Sequence, residues 1–261
     1  MSDSASEETS ESMADEFDTV AWWTATAVAE LGEDHALPAA CRGSGSPAGL
    51  DWLARSMGLT SGTRLLDSGA GVGGPAEYAA RSYGVRPTLA EPMEGACQAA
   101  RRLFHHPVVV SDGLALPFAD ETFDAAWSLG VLCTIEDKRG YLAQLRRTVV
   151  PGGPVGLLVY TRAVDELPDQ PDGNAFPSRE ELLADLRATG LEVLDETPLA
   201  DLPGSPDDWD AAADRVEEVV ARRHGDDERW QRAQAQQETI GGLIGDGLVV
   251  GVLISARRTK N

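Results

Sequence analysis

The chain is poor in cysteine, in basic side chains and in long apolar runs, and each shortage removes a class of answers. Its three cysteines, Cys41, Cys97 and Cys133, are an odd set without C-x-x-C spacing, which argues against a disulfide framework or a structural zinc site and predicts free thiols. No ligand cluster of suitable spacing calls for any other metal. No apolar run approaches the roughly 20 residues of a membrane span, so no membrane partner is expected. Lysine and arginine together number 22 against 43 aspartates and glutamates, a formal charge of -21. Nucleic-acid binders carry a basic face whose counterion release drives binding, so DNA and RNA are not expected partners. The first sixteen residues, "MSDSASEETSESMADE", have neither a basic start nor an apolar core. They predict a disordered acidic tail over 1–16 rather than a signal peptide, and a cytoplasmic protein.

What is present is an alternation. Residues 17–62 predict two cap helices, Phe17 to Gly32 and "LDWLARSMGL", joined by a Gly/Pro/Ser-rich connection. From Thr63 onward, short apolar runs ("TRLLD", "PVVVSD", "FDAAWSL", "PVGLLVYT") alternate with helical segments of about ten residues, the pattern of βαβ crossovers in a doubly wound α/β sheet. Ser178 followed by Glu181 marks a capping box ahead of "EELLADLRA". The expected organisation is a single domain over 17–261, with its core at 63–200, a helical insert at 201–242 lying over the strand ends, and a last strand at 243–261.

The glycine cluster sits in "RLLDSGAGVGG", where Gly69-x-Gly71-x-x-Gly74 has the spacing of a dinucleotide-binding turn. An acid precedes it: Asp67 lies two residues before Gly69, where a carboxylate suits an ammonium group better than a pyrophosphate. Glu91, at the end of the second strand, can accept both hydroxyls of a ribose, a feature a nicotinamide enzyme shares. Asp112 ends "VVVSD", placed to accept from an exocyclic amine. Three acids closing three successive strands above one glycine loop suit S-adenosylmethionine.

With "LLDSGAGVGGPA", "LAEP", "SDGLALPFADETFDAAWSLGVL" and "LRRTVVPGGPVGLLV" in this order, the stretch from about Thr63 to Tyr160 resembles the class I S-adenosylmethionine-dependent methyltransferases, in particular the ubiquinone/menaquinone branch acting on small molecules. The resemblance implies a seven-stranded, mostly parallel sheet whose antiparallel last strand "LVVGVLISARR" supplies. It implies that Asp67, Gly69, Ala70, Gly71 and Gly73 surround the methionine part of the cofactor and that Glu91 holds the ribose. Pro92 and Met93 would pack near the adenine, Asp112 and Gly113 would bind its amine, and the Ser128 and Leu129 backbone would lie near the amino end. S-adenosylhomocysteine would be the product.

Methyl transfer from a sulfonium is an in-line displacement that orientation and water exclusion can drive without an activated side chain. Relatives often carry a histidine pair where this chain has Cys133 and Thr134, which weakens a histidine-base mechanism. His35, in the N-terminal cap, is the remaining candidate base. Trp22, Trp23, Cys133, Thr134, Tyr160 and Trp209 are the candidates for a pocket around an apolar or planar small molecule; for the tryptophans, plain packing of the cap is the competing role. An NAD-dependent oxidoreductase would explain the glycines and Glu91 but not Asp67 or Asp112. A protein of this fold that binds the cofactor without transferring methyl stays open, as does a homodimer through the N-terminal helices or the insert.

Overall fold

The computed structural model describes residues 2–168, 170–171 and 173–260, with side chains from residue 15 onward. Seven strands form one sheet: β1 (Arg64–Ser68), β2 (Arg86–Glu91), β3 (Val108–Val110), β4 (Ala125–Leu129), β5 (Pro154–Arg162), β6 (Leu191–Pro198) and β7 (Val249–Arg258), in the order β3-β2-β1-β4-β5-β7-β6. The β1, β2, β3, β4 and β5 pairings are parallel, and β7 runs antiparallel to both β5 and β6. All carboxyl ends except that of β7 therefore meet on one edge, where the order reverses between β1 and β4, the place at which doubly wound sheets hold a ligand crevice.

Both faces of the sheet are buried, so its strands read as continuous apolar runs in which neighbouring residues serve opposite layers. Leu66, Leu157 and Ile254 pack with Leu142 and Leu145 of α6 (Lys138–Thr148) and Leu182 and Leu186 of α7 (Arg179–Ala188). Their neighbours Leu65, Leu158 and Leu253 pack with Leu50 and Leu53 of α3 (Pro47–Ser56) and Ala79 of α4 (Gly74–Tyr83). Each such fully buried leucine contributes about 1.5–3 kcal/mol. The capping box predicted at Ser178 and Glu181 is present. Helix α5 (Glu94–Leu103) completes the second layer.

The cap differs from the sequence expectation in three places. Helix α1 spans Ser2–Leu31 and so reaches back into the stretch predicted to be a disordered tail; glutamate and alanine there favour helix, and from Asp15 on its side chains reach the insert. The Gly/Pro/Ser-rich connection holds a short helix, α2 (Ala36–Ala40), that its proline did not suggest; Pro38 sits in the first turn, where no N–H partner is lost. The insert is helical as expected, in two helices, α8 (Asp207–His224) and α9 (Glu228–Gly245), turning at Gly225, but it runs to Gly245, past the expected bound at 242. Ala213, Val216, Val219 and Val220 form the apolar stripe of α8 and pack with Ala27 and Val28 of α1 and Ala36 and Ala40 of α2. Among the described residues no helix is long and apolar enough to cross a membrane.

Candidate functional site

The crevice is assembled by the ends of β1 and β2. After Ser68 the backbone turns through Gly69, whose φ of +71° a side chain rarely tolerates, and an added methyl there would strike the Val131 side chain. The Gly69 and Ala70 amides donate to Ala90 O at 2.8 and 3.3 Å, which ties the turn onto the end of β2. Gly73 N donates back to Ala70 O at 2.9 Å, and α4 starts at the next residue. Beside Gly71 the space is open.

Two buried carboxylates face this turn. Glu91, 5% exposed, accepts from Gly71 N at 2.8 Å and from Met93 N at 3.2 Å. Burial raises its pKa, these two amides lower it, and Asp18 of α1 raises it further. Two oxygens offer about four acceptor positions, so Glu91 can hold the loop and still accept from a diol. Asp67, 2% exposed, has an Oδ2 with no hydrogen-bond partner. Burial pushes its carboxyl up to about 7; the Trp127 indole N–H, near it on β4 but closing no hydrogen bond, lowers the value, and the Glu91 charge raises it. An unsatisfied buried carboxylate is costly unless a cation or donor reaches it, so Oδ2 is open to a cation or a hydrogen-bond donor.

The remaining acid is arranged otherwise. Asp112 lies past the end of β3, exposed, with its carboxylate accepting from Leu114 N at 2.8 Å. Its turn is brought to the crevice by Ser111 N, which donates to Glu91 O at 3.0 Å. Gly113 packs against the Tyr141 ring so closely that a methyl would lie 2.8 Å from Cδ2. Ser128 and Leu129 are buried at the end of β4; the Ser128 hydroxyl is 2.7 Å from Tyr141 Oη. Pro92 is exposed at the end of β2 and Met93 half-buried at the start of α5.

The cap closes over this edge. A methyl on Gly74 would run into the Ala40 backbone, and Gly43 O lies 3.3 Å from where one on Gly130 would sit. The buried Cys41 thiol is pushed up by burial and by the Asp67 charge. Asp18 Oδ1 accepts from Ala96 N at 3.1 Å, so α1 caps the start of α5 next to Glu91. Sequence reasoning missed Asp18, because a cap supplied from 78 residues away leaves no local signature.

The family model described as a methyltransferase domain matches residues 66–157, the segment from β1 through the middle of β5 that builds these strand ends. The 2-methyl-6-phytyl-1,4-hydroquinone methyltransferase of Synechocystis is 31% identical over 151 residues, covering 51% of this chain and 48% of its own. The chain spans about half the length of the curated relatives it matches. Among solved structures, the [4+2]-cyclase SpnF superposes with a TM-score of 0.65 at 24% identity, covering 84% of each chain. Geranyl diphosphate C-methyltransferase from Streptomyces coelicolor, solved with Mg2+, geranyl diphosphate and S-adenosyl-L-homocysteine, gives 0.58 at 18% identity, covering 81% of this chain and 79% of its own. These likenesses bear out the expected sheet, down to the antiparallel β7, and carry the fold alone.

Around the matched segment, the predicted pocket residues separate. Tyr160 joins two apolar clusters at the carboxyl end of β5, one with Trp209, Leu37 and Leu199, the other with Cys133, Phe176 and Leu243. Burial raises the Cys133 thiol to about 11, so it stays protonated. Thr134 is exposed and donates to Val131 O. Trp22 is 42% exposed with the Arg102 guanidinium 5.2 Å from its ring. Trp23 stacks on His224 at 3.9 Å and carries Arg229 at 5.5 Å. His35 sits in a turn between α1 and α2, its Nδ1 buried without a hydrogen-bond partner; no hydrogen bond ties it to the glycine turn. An open cleft of about 770 Å³ between α6, α7 and the segment 163–177 shares none of the predicted cofactor residues.

Proposed function

We propose that this protein transfers the methyl group of S-adenosylmethionine to an oxygen, nitrogen or carbon nucleophile of a small organic molecule. The observation that carries the reading is the unpartnered, buried Oδ2 of Asp67 beside the glycine turn, which asks for the cofactor's ammonium group. Asp67 and the 69–73 turn would hold the amino-acid end, Glu91 the ribose, and the Asp112–Gly113 turn the adenine. When bound, the cofactor supplies an electrophilic methyl on a sulfonium. The protein's share is to orient the two reactants and exclude water, which the roof formed by Cys41 and Gly43 favours. Tyr160, Trp209 and Cys133 offer an apolar wall to the acceptor, in keeping with a planar or apolar substrate. The protonated Cys133 thiol is a wall residue and no nucleophile.

A nicotinamide-binding sheet of doubly wound order has no need of an antiparallel β7 or of Asp67 beside the glycines, and we set that reading aside. The likeness to a [4+2]-cyclase favours one alternative: this fold can host a reaction in which methyl is not transferred. Three free, buried cysteines suit a reducing cytoplasm, and the charge of -21 disfavours nucleic acid. The test is calorimetric titration with S-adenosylmethionine, S-adenosylhomocysteine and NAD in parallel, followed by incubation of candidate acceptors with methyl-labelled cofactor. Binding of the first two and transfer of label support the proposal. Binding of NAD alone overturns it, and binding with acceptor turnover but no label in the product moves the protein to the alternative.

A further inference from the structure

One buried side chain touches three of the strand ends that the cofactor would span. Tyr141, on α6, is 1% exposed. Its hydroxyl lies 3.1 Å from Ser68 O and 3.0 Å from Ser68 Oγ at the end of β1, and 2.7 Å from Ser128 Oγ at the end of β4. Its ring is the surface on which Gly113, in the turn after β3, rests without room for a methyl group. The Ser68 carbonyl can only accept, so that contact uses the single phenol proton, and both serine hydroxyls are left to donate to the phenol oxygen. Burial, with the Asp67 and Glu91 charges nearby, pushes the phenol up to about 12, so the proton stays on it throughout the neutral range.

The geometry points to Tyr141 as a positioning residue that sets the distance between the amino-acid end and the adenine end of the cofactor site. The inference rests on the S-adenosylmethionine reading. Ser68 follows Asp67 directly in β1, and Gly113 follows Asp112, so the node joins the backbone of the acid that would meet the ammonium group to the backbone of the turn that would meet the adenine. Buried hydrogen-bond networks that are fully satisfied hold one arrangement. Tyr141→Phe keeps the ring under Gly113 and cuts the tie to β1 and β4. A ligand gripped at one end can follow a small shift of its subsite, whereas a ligand gripped at both ends cannot.

The experiment compares S-adenosylhomocysteine with 5′-methylthioadenosine, which lacks the amino-acid end, by calorimetric titration of wild type, Tyr141→Phe and Ser128→Ala, alongside thermal melts. In Tyr141→Phe the affinity for S-adenosylhomocysteine should fall about tenfold, and that for methylthioadenosine by less than about twofold. Ser128→Ala removes one arm of the node, and should weaken S-adenosylhomocysteine about threefold with the same selectivity. It decides the matter if Tyr141→Phe does not fold. Equal weakening of both ligands in step with the melting temperature makes Tyr141 a general core residue and overturns the proposal, as does unchanged affinity for both. If wild type binds neither ligand, the cofactor reading fails, and the positioning role fails with it.

Discussion

The strand-end crevice and the helical cap that covers it are held by different means. The crevice is made of short-range, backbone-bound parts: amides of the glycine turn on Ala90 O and Glu91, carboxylates at least 95% out of water, and a phenol shared by two serines. The cap rests on the apolar stripe of α8 and is edged by long, half-exposed side chains. Arg42 pairs with Asp214 and Glu217, Arg223 with Glu30, and Arg229 reaches Asp15 and Thr19 across α1. Exposed pairs contribute little singly, whereas buried unsatisfied groups cost much. The crevice is therefore poised against a ligand, whereas the cap is held by apolar packing with ion pairs at its edge that each add little.

The sharpest way to break that contrast is Asp67→Asn. Removing one partner of a buried charge pair costs about 3–5 kcal/mol, so affinity for S-adenosylhomocysteine should fall by at least about a hundredfold in calorimetric titration. Because the ligand-free protein buries this carboxylate without a partner on Oδ2, the melting temperature should hold or rise. A variant that binds like wild type would remove Asp67 from the site.

Gly69→Ala strikes the backbone of the same crevice. With φ at +71° and Val131 in the way, strain and overlap together should lower stability by about 2–4 kcal/mol, measured by urea unfolding. A loss within about 0.5 kcal/mol would mean that the turn adapts freely and is no rigid cradle.

Protonation offers a third handle. The Asp67 carboxyl is raised to about 7 by burial, so in the ligand-free protein it holds a proton below that pH and must release it to face an ammonium group. Affinity should accordingly rise with pH and level off above 7. Between pH 8 and pH 6 the expected loss is about tenfold, with proton release on binding at the lower pH. Asp67→Asn should flatten most of this slope. A pH-independent affinity would show that Asp67 is already ionised before binding.

How far the sequence revealed these two regions follows from the range of the interactions. The strands, the glycine turn, Asp67 and Glu91 were readable because their parts lie within thirty residues of one another and obey period and turn rules. Tyr141 was invisible: its partners are 73 residues back at Ser68 and 13 back at Ser128, and within α6 it reads as one more apolar position. Asp18 as a cap for α5 was hidden for the same reason. Asp112 was placed at a strand end, but β3 stops at Val110 and the carboxylate closes its own turn with Leu114, a local bond that the motif does not distinguish from a waiting acceptor.

The smallest expected effects test the cap, through two adjacent tryptophans. Trp23 is clasped between His224 and Arg229 at the turn joining α8 to α9, whereas Trp22 lies outward under Arg102. Trp23→Ala should lower stability by about 1–2 kcal/mol, and Trp22→Ala by about 0.5 kcal/mol or less. Urea titration reads the difference, and both variants should keep their S-adenosylhomocysteine affinity within about twofold, since the ring partners His224, Arg229 and Arg102 lie outside the glycine turn. If Trp23→Ala instead left stability unchanged and raised the KM of an acceptor, the ring would line the acceptor pocket and the His224 stack would be incidental. The clasp then could not be part of what joins the insert to α1, and the apolar stripe of α8 with the ion pairs of Arg223 and Arg229 would carry that junction.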